Sequence, residues 1–155
     1  MKGDATVINT LNSLLADELT AINQYMVQSE MCENWGFERL HKAIGKQAID
    51  EMKHAEKLIE RILFLEGSPT VSNLNPMNIG ATALAILNNN LTSEVTAVRA
   101  YNDAIATCVQ ASDNGTRELL KQILKDEEDH IDWLEAQLDQ IQQMGIQMYL
   151  AEQLH

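Results

Sequence analysis

The chain has 155 residues, 45% of them hydrophobic and 5% aromatic, and a formal net charge of −12. That length fits one domain with a core of its own, so residues 1–155 are read as a single unit. A chain this acidic is a poor partner for nucleic acid, whose phosphates need clustered Lys and Arg, and no run nears the roughly 18 apolar residues of a membrane span. Met1-Lys2-Gly3-Asp4 leads into an amphipathic stretch and not into the apolar core of a signal peptide, which points to the cytoplasm. Cys32 and Cys108 form no Cys-x-x-Cys motif and read as two small apolar residues.

Leu, Ala, Ile, Glu and Gln dominate and there are only two prolines, a composition that predicts an all-α fold. The first helix is expected over residues 5–34, with an apolar stripe of Leu11, Leu15, Ile22 and Tyr25 at steps of four and three; Glu18 falls on that stripe. After a turn at Trp35-Gly36, a second helix over 38–66 faces Leu40, Ile44, Leu58, Ile62 and Leu65 inward, with Glu51 and His54 in the middle of the same face. Residues 67–80 carry turn chemistry throughout. A third helix is predicted over 81–111, with Leu84, Leu87, Leu91, Val98, Tyr101, Ile105 and Cys108 inward and Glu94 in the remaining slot. A fourth spans 116–144, with Leu120, Ile123, Leu134, Leu138 and Ile141 inward and Glu127 and His130 in the gap; residues 146–154 fit a short fifth helix.

The second helix should be about 42 Å long at 1.5 Å per residue. The fourteen residues of 67–80 can reach about 46–50 Å when extended. They can therefore run the length of the molecule and start the third helix at the same end as the second. The other turns are short and make antiparallel pairs. The expected architecture is a four-helix bundle with one long crossover and a short C-terminal fifth helix.

Shifted by 76 positions, the sequence aligns with itself. Glu18 and Tyr25 fall on Glu94 and Tyr101, Cys32 on Cys108, and Asp50-Glu51-x-x-His54 on Asp126-Glu127-x-x-His130. Residues three apart share a helix face, so each Glu-x-x-His presents a carboxylate and an imidazole together. The midpoints of Glu18 and Glu51, and of Glu94 and Glu127, fall in or beside the two short turns. The six residues therefore converge on one level of the bundle. On a single charged helix, Glu-x-x-His is ordinarily a solvated face; four buried acids without a matching Lys or Arg are another matter. Two divalent cations would balance them, and oxygen and nitrogen donors without thiolate favour iron or manganese. The symmetry suggests Glu18 and His54 as terminal ligands of one metal, Glu94 and His130 of the other, and Glu51 and Glu127 as bridges.

These motifs, with the Met1-Lys2-Gly3-Asp4 start, Trp35-Gly36, Met52-Lys53 inside the first Glu-x-x-His and the short tail, make the chain resemble a bacterioferritin over essentially its whole length. The resemblance implies a ferritin-like di-iron bundle and a homo-oligomeric shell of 24 subunits built from dimers. It implies ferroxidase activity at Glu18, Glu51, His54, Glu94, Glu127 and His130, with Fe2+ oxidised by O2 or H2O2, ferric mineral stored in the cavity, and a ferredoxin-type reductant for release. It also implies haem b shared between two subunits through Met52 of each. Met52 lies about 100° around the helix from Glu51 and should face outward, and the repeat places Glu128 at its equivalent. Tyr25 and Tyr101 lie seven residues beyond Glu18 and Glu94, on the same face, as second-layer hydrogen-bonding groups or as ordinary core tyrosines. Lys46 departs from the family, which often has His there, while Asp50 is kept. A helical haem carrier acting mainly in electron transfer is the competing expectation; it needs Met52 but not the six-residue layer.

Overall fold

The computed structural model describes residues 1–155. It consists of α1 (Ala5–Trp35), α2 (Glu38–Phe64), α3 (Ala83–Gln110), α4 (Asn114–Met144) and α5 (Ile146–Ala151), with no strand. No helix is long and apolar enough to cross a membrane. The bundle with one crossover is therefore the observed fold.

The helix ends follow local chemistry. Asp4 caps α1 by accepting the Thr6 and Val7 N–H groups, and Gly36 closes it in the left-handed region at φ 86°. α2 stops at Phe64, two residues earlier than the periodicity predicts, because Glu66 adopts φ 62° and cannot continue a right-handed helix. α3 begins at Ala83 instead of 81 because Thr82 is its cap, accepting from the Ala85 N–H. α4 begins two residues earlier than predicted because Asp113 caps it by accepting from the Thr116 N–H. α5 ends at Ala151, short of the predicted 154, and the chain then turns back so that the Gln153 carbonyl accepts the Arg39 N–H at 3.0 Å. That bond serves α2, whose own cap residue Phe37 offers no side-chain acceptor.

The crossover climbs α1 by a ladder of polar contacts. Asn12 bonds to Ser68 and Thr70, Asp17 and Thr20 to Asn75, Gln24 to Asn78, and Gln28 to Ile79. The loop thus travels from the N-terminal end of α1 to its C-terminal end, which is where α2 starts, so α3 runs parallel to α2.

The apolar interior comes in two parts. One cluster joins Leu11, Leu15, Leu58, Ile62, Leu120 and Ile123; the other joins Leu40, Ile44, Ile86, Leu87, Leu134 and Tyr149. Leu84, expected inward, is instead exposed in the first turn of α3, and Ala83, Ile86 and Leu87 take its place in the core. Glu18, Glu51, His54, Glu94, Glu127 and His130 belong to neither apolar cluster.

Candidate metal centre

α1 supplies Glu18, α2 supplies Glu51 and His54, α3 supplies Glu94, and α4 supplies Glu127 and His130. All six side chains are buried, none more than 6% exposed. Their ligand atoms form two groups, each within 4.8 Å: Glu18, Glu51, His54 and Glu127 in one, and Glu51, Glu94, Glu127 and His130 in the other. Glu51 and Glu127 are common to both. The structure therefore brings together all six residues singled out from the repeat, in two overlapping sets related by its pseudo-twofold axis.

The two imidazoles are held from behind. Asp126 Oδ2 lies 2.8 Å from His54 Nε2, and Asp50 Oδ2 lies 3.1 Å from His130 Nε2. A carboxylate only accepts, so both Nε2 atoms carry the proton, as assigned from this network. Each Nδ1 is left pointing at the carboxylates. His54 Nδ1 is 3.2 Å from Glu127 and 3.7 Å from Glu18; His130 Nδ1 is 3.1 Å from Glu51 and 3.3 Å from Glu94. A lone pair facing carboxylate oxygens needs a cation between them, either a proton or a metal.

The tyrosines reach across the repeat. Tyr25 Oη donates to Glu94 Oε1 at 2.5 Å, and Tyr101 Oη donates to Glu18 Oε1 at 2.6 Å. Each fixes one oxygen of a carboxylate supplied by the opposite half. Glu18 Oε2, Glu51 Oε1, His54 Nδ1, Glu94 Oε2 and Glu127 Oε1 have no hydrogen-bond partner. Orphan polar atoms at this depth are costly unless something else satisfies them. Their chemistry, oxygen and imidazole nitrogen in two shared sets, fits a pair of divalent transition-metal ions.

Without metal, protons must supply the missing charge. Burial and the neighbouring Glu18 push Glu51 well above the usual carboxylate range, and burial together with Glu51 does the same to Glu127. For Glu18, burial acts upward, but contacts with Glu51, His54 and Tyr101 outweigh it and hold its pKa low. Burial opposes charge on the histidines, yet the carboxylates prevail: Glu127 and Glu18 raise His54, and Glu94 brings His130 up to about 9. Burial, then Glu94 and Glu18 respectively, raises Tyr25 and Tyr101, which stay neutral donors.

Met52 points away from this centre, 45% exposed on the outer side of α2, with Ile49 one turn before it also exposed. A free thioether beside apolar surface suits a haem axial position completed by a second chain. Lys46 Nζ donates to the same Asp50 oxygen that His130 faces, 3.2 Å from Oδ2. Asp50 and Asp126 were visible in the sequence only as part of the repeated motif; their bonds to the histidine of the opposite half are a tertiary feature that the spacing did not reveal.

A four-helix bundle with one crossover and a buried Glu and Glu-x-x-His layer defines the ferritin-like class of carboxylate bundles. A family model described as the ferritin-like domain matches residues 8–144. The chain is 43% identical over 155 residues to a protein of Synechocystis sp. named bacterial ferritin, covering 99% of both chains. It is 40% identical over 152 residues to a bacterioferritin of Mycolicibacterium paratuberculosis (98% of this chain, 96% of that one) and 40% identical over 147 residues to one of Rhodobacter capsulatus (95% and 91%). The chain belongs to the ferritin family, among its bacterioferritins. Membership supports iron storage as its general role.

Proposed function

We propose that this protein is a ferroxidase that feeds an iron store. Glu18 and His54 hold one Fe2+, Glu94 and His130 hold a second, and Glu51 and Glu127 bridge the two. The observation that carries this reading is the set of five buried, unpartnered ligand atoms on four helices. Two Fe2+ substrates side by side supply two electrons together, enough to take O2 and two protons to H2O2, or H2O2 and two protons to water. Four anionic carboxylates stabilise Fe3+ more than Fe2+, so the ligand set itself favours the oxidised product. Asp126 and Asp50 keep the imidazoles turned with Nδ1 inward, and Tyr101 and Tyr25 stop Glu18 and Glu94 from swinging away.

The product Fe3+ is proposed to leave for a mineral inside a shell of 24 chains assembled from dimers, within the cytoplasm, with a ferredoxin-type protein as the reductant for release. Met52 from each of two chains would hold haem b, which supplies one-electron transfer to the store. An assembly devoted to electron transfer alone would use Met52 and leave the six-residue layer unexplained. The test is stopped-flow oxidation of Fe2+ by Glu94→Ala and His130→Ala proteins, with iron per chain counted after loading. Sharply slower oxidation in both is expected. Wild-type rates in both, or a wild-type protein that never exceeds two irons per chain, would sink this reading.

A further inference from the structure

A second group of metal-ligating side chains lies at the turn between α1 and α2. Glu30 and Glu33, three residues apart, share one face near the end of α1, and His41 stands in the first turn of α2. One ligand atom from each falls within 4.8 Å of the others. The turn sets them level, since Glu33 and His41 lie four residues either side of Phe37. At 1.5 Å per residue, Glu33 is about 22 Å along α1 from Glu18, so this group is separate from the buried layer.

The histidine is held from behind by a buried serine. Ser29 is 3% exposed; its carbonyl oxygen lies 3.0 Å from His41 Nδ1, and its hydroxyl lies 2.9 Å from the same atom while donating to the His41 carbonyl at 2.8 Å. A carbonyl oxygen only accepts, so Nδ1 carries the ring proton and the neutral imidazole keeps its lone pair on Nε2. Gly45 gives Ser29 its room, since a Cβ there would stand 3.0 Å from Ser29 Oγ. Nε2 then faces Glu33 Oε2 at 3.8 Å. An imidazole turned by a backbone carbonyl so that its free nitrogen meets a carboxylate is oriented as a metal ligand is.

That separation is too long for a hydrogen bond and suits a shared ion. One Zn–N and one Zn–O bond together reach about 4.0–4.3 Å. Neither carboxylate has a Lys or Arg as its ion-pair partner: Lys42 is engaged by Glu38 at 3.5 Å and Lys46 by Asp50 at 3.2 Å. Glu30 is exposed and free to turn into the set. The repeat supplies an internal comparison. Shifted by 76, Ser29, Glu30, Glu33 and His41 become Ile105, Ala106, Val109 and Arg117. The α3–α4 hairpin closes without any of them, so a helical hairpin of this fold does not require the group.

We propose that Glu30, Glu33 and His41 bind a divalent transition cation of the Zn2+ class, with water in the remaining positions, and that Ser29 is the positioning residue for His41. An imidazole nitrogen beside two carboxylates suits Zn2+ better than Ca2+ or Mg2+, which take oxygen ligands. The ion ties the end of α1 to the start of α2 and stays open to solvent. This inference does not rest on the centre proposed above.

The test is equilibrium dialysis of the full-length metal-free protein against low-micromolar Zn2+, with zinc per chain counted by mass spectrometry and placed by diffraction at the zinc absorption edge. Wild-type protein should hold one Zn2+ per chain more than His41→Asn, and Glu33→Gln should lose the same ion. Ser29→Ala should keep the site and weaken it by about tenfold, because the ring is less firmly turned. Glu38→Gln, an acid at the same turn outside the set, should bind as wild type does. Glu94→Ala should lower the total and leave the His41-dependent ion in place. The anomalous peak should lie about 2.1 Å from His41 Nε2. Equal zinc in wild type and His41→Asn, a loss in Glu38→Gln as large as in Glu33→Gln, or peaks confined to the buried layer would overturn the proposal. Wild-type affinity in Ser29→Ala would overturn the part given to Ser29.

Discussion

Tyr101, on α3, donates its hydroxyl to Glu18, on α1, at 2.6 Å, and the repeat-related Tyr25 repeats the bond to Glu94 in the reverse direction. Neither tyrosine serves the carboxylate on its own helix. The two halves are therefore tied to each other at the one level where their charges are least compatible. Tyr101→Phe strands Glu18 Oε1 in the interior. It should lower the stability of the metal-free protein by about 1–3 kcal/mol and weaken Co2+ binding at the Glu18–His54 site by about tenfold or more. Calorimetry and a Co2+ titration check both. If affinity and melting temperature match the wild type, the hydroxyl does not hold the ligand.

Metal binding should release protons. At pH 7 the metal-free centre keeps protons on His54 and His130, the latter up to about 9, and on Glu51 and Glu127 to the extent that their raised values reach that pH. Loading with Zn2+ in weak buffer should therefore free at least two and up to four protons per chain. The linked effect on stability has a definite sign. A group raised on folding stabilises the native state below its unfolded value, 6.5 for His, and that contribution disappears as pH climbs through the folded value. Metal-free protein should thus lose stability from about pH 6.5 toward pH 9, and the gap in melting temperature between loaded and metal-free forms should widen over the same range. A gap that stays constant would show that cations do not replace those protons.

Much of this arrangement is legible in the amino-acid sequence because it is written in helical period. Glu18, Glu51, His54, Glu94, Glu127 and His130 interrupt apolar stripes at matching places in two copies, and burial of the stripe buries them. Period says nothing about partners across the bundle. Nothing in the spacing links Asp126 to His54 rather than leaving it in solvent, or Tyr101 to Glu18 rather than to Glu94. The contacts between the crossover and Asn12, Asp17, Thr20, Gln24 and Gln28 were equally hidden, since a loop bonded to side chains has no repeat to read. Leu84 shows the converse failure: a first-turn residue in register with the stripe, yet exposed because the helix begins only at Ala83.

Asp113 anchors the start of α4 and the end of α2 together. It accepts from the Thr116 N–H at 3.0 Å, from Thr116 Oγ1 at 2.6 Å and from Arg61 Nη2 at 3.2 Å. Burial alone would raise its pKa, but the Thr116 bonds and Arg61 outweigh that and lower it. A depressed carboxylate stabilises the fold above its unfolded value, 3.8, and the benefit fades as pH falls through the lower folded value. Asp113→Ala should cost about 1–2 kcal/mol at pH 7. Thermal melts between pH 7 and pH 3 should show the difference from wild type shrinking at the acid end; a difference independent of pH would assign the effect to packing alone.

Replacing both bridging candidates with neutral isosteres separates a metal centre from a structural polar network. Glu51 and Glu127 are the two acids that burial, and then the neighbouring carboxylates (Glu18 for Glu51, Glu51 for Glu127), oppose in the charged form. If the layer existed to hold the bundle together, Glu51→Gln with Glu127→Gln would remove contacts and lower the melting temperature. If instead these acids are kept for the ions they bind, the metal-free protein carries an electrostatic penalty that Gln removes. The double variant should then melt higher than wild-type protein without metal at pH 8, by about 1 kcal/mol or more in stability. It should gain little from added Co2+ and oxidise Fe2+ far more slowly. A lower melting temperature combined with undiminished Fe2+ oxidation would contradict the metal assignment at both ends. A site that makes its own protein less stable when empty is retained for what it binds.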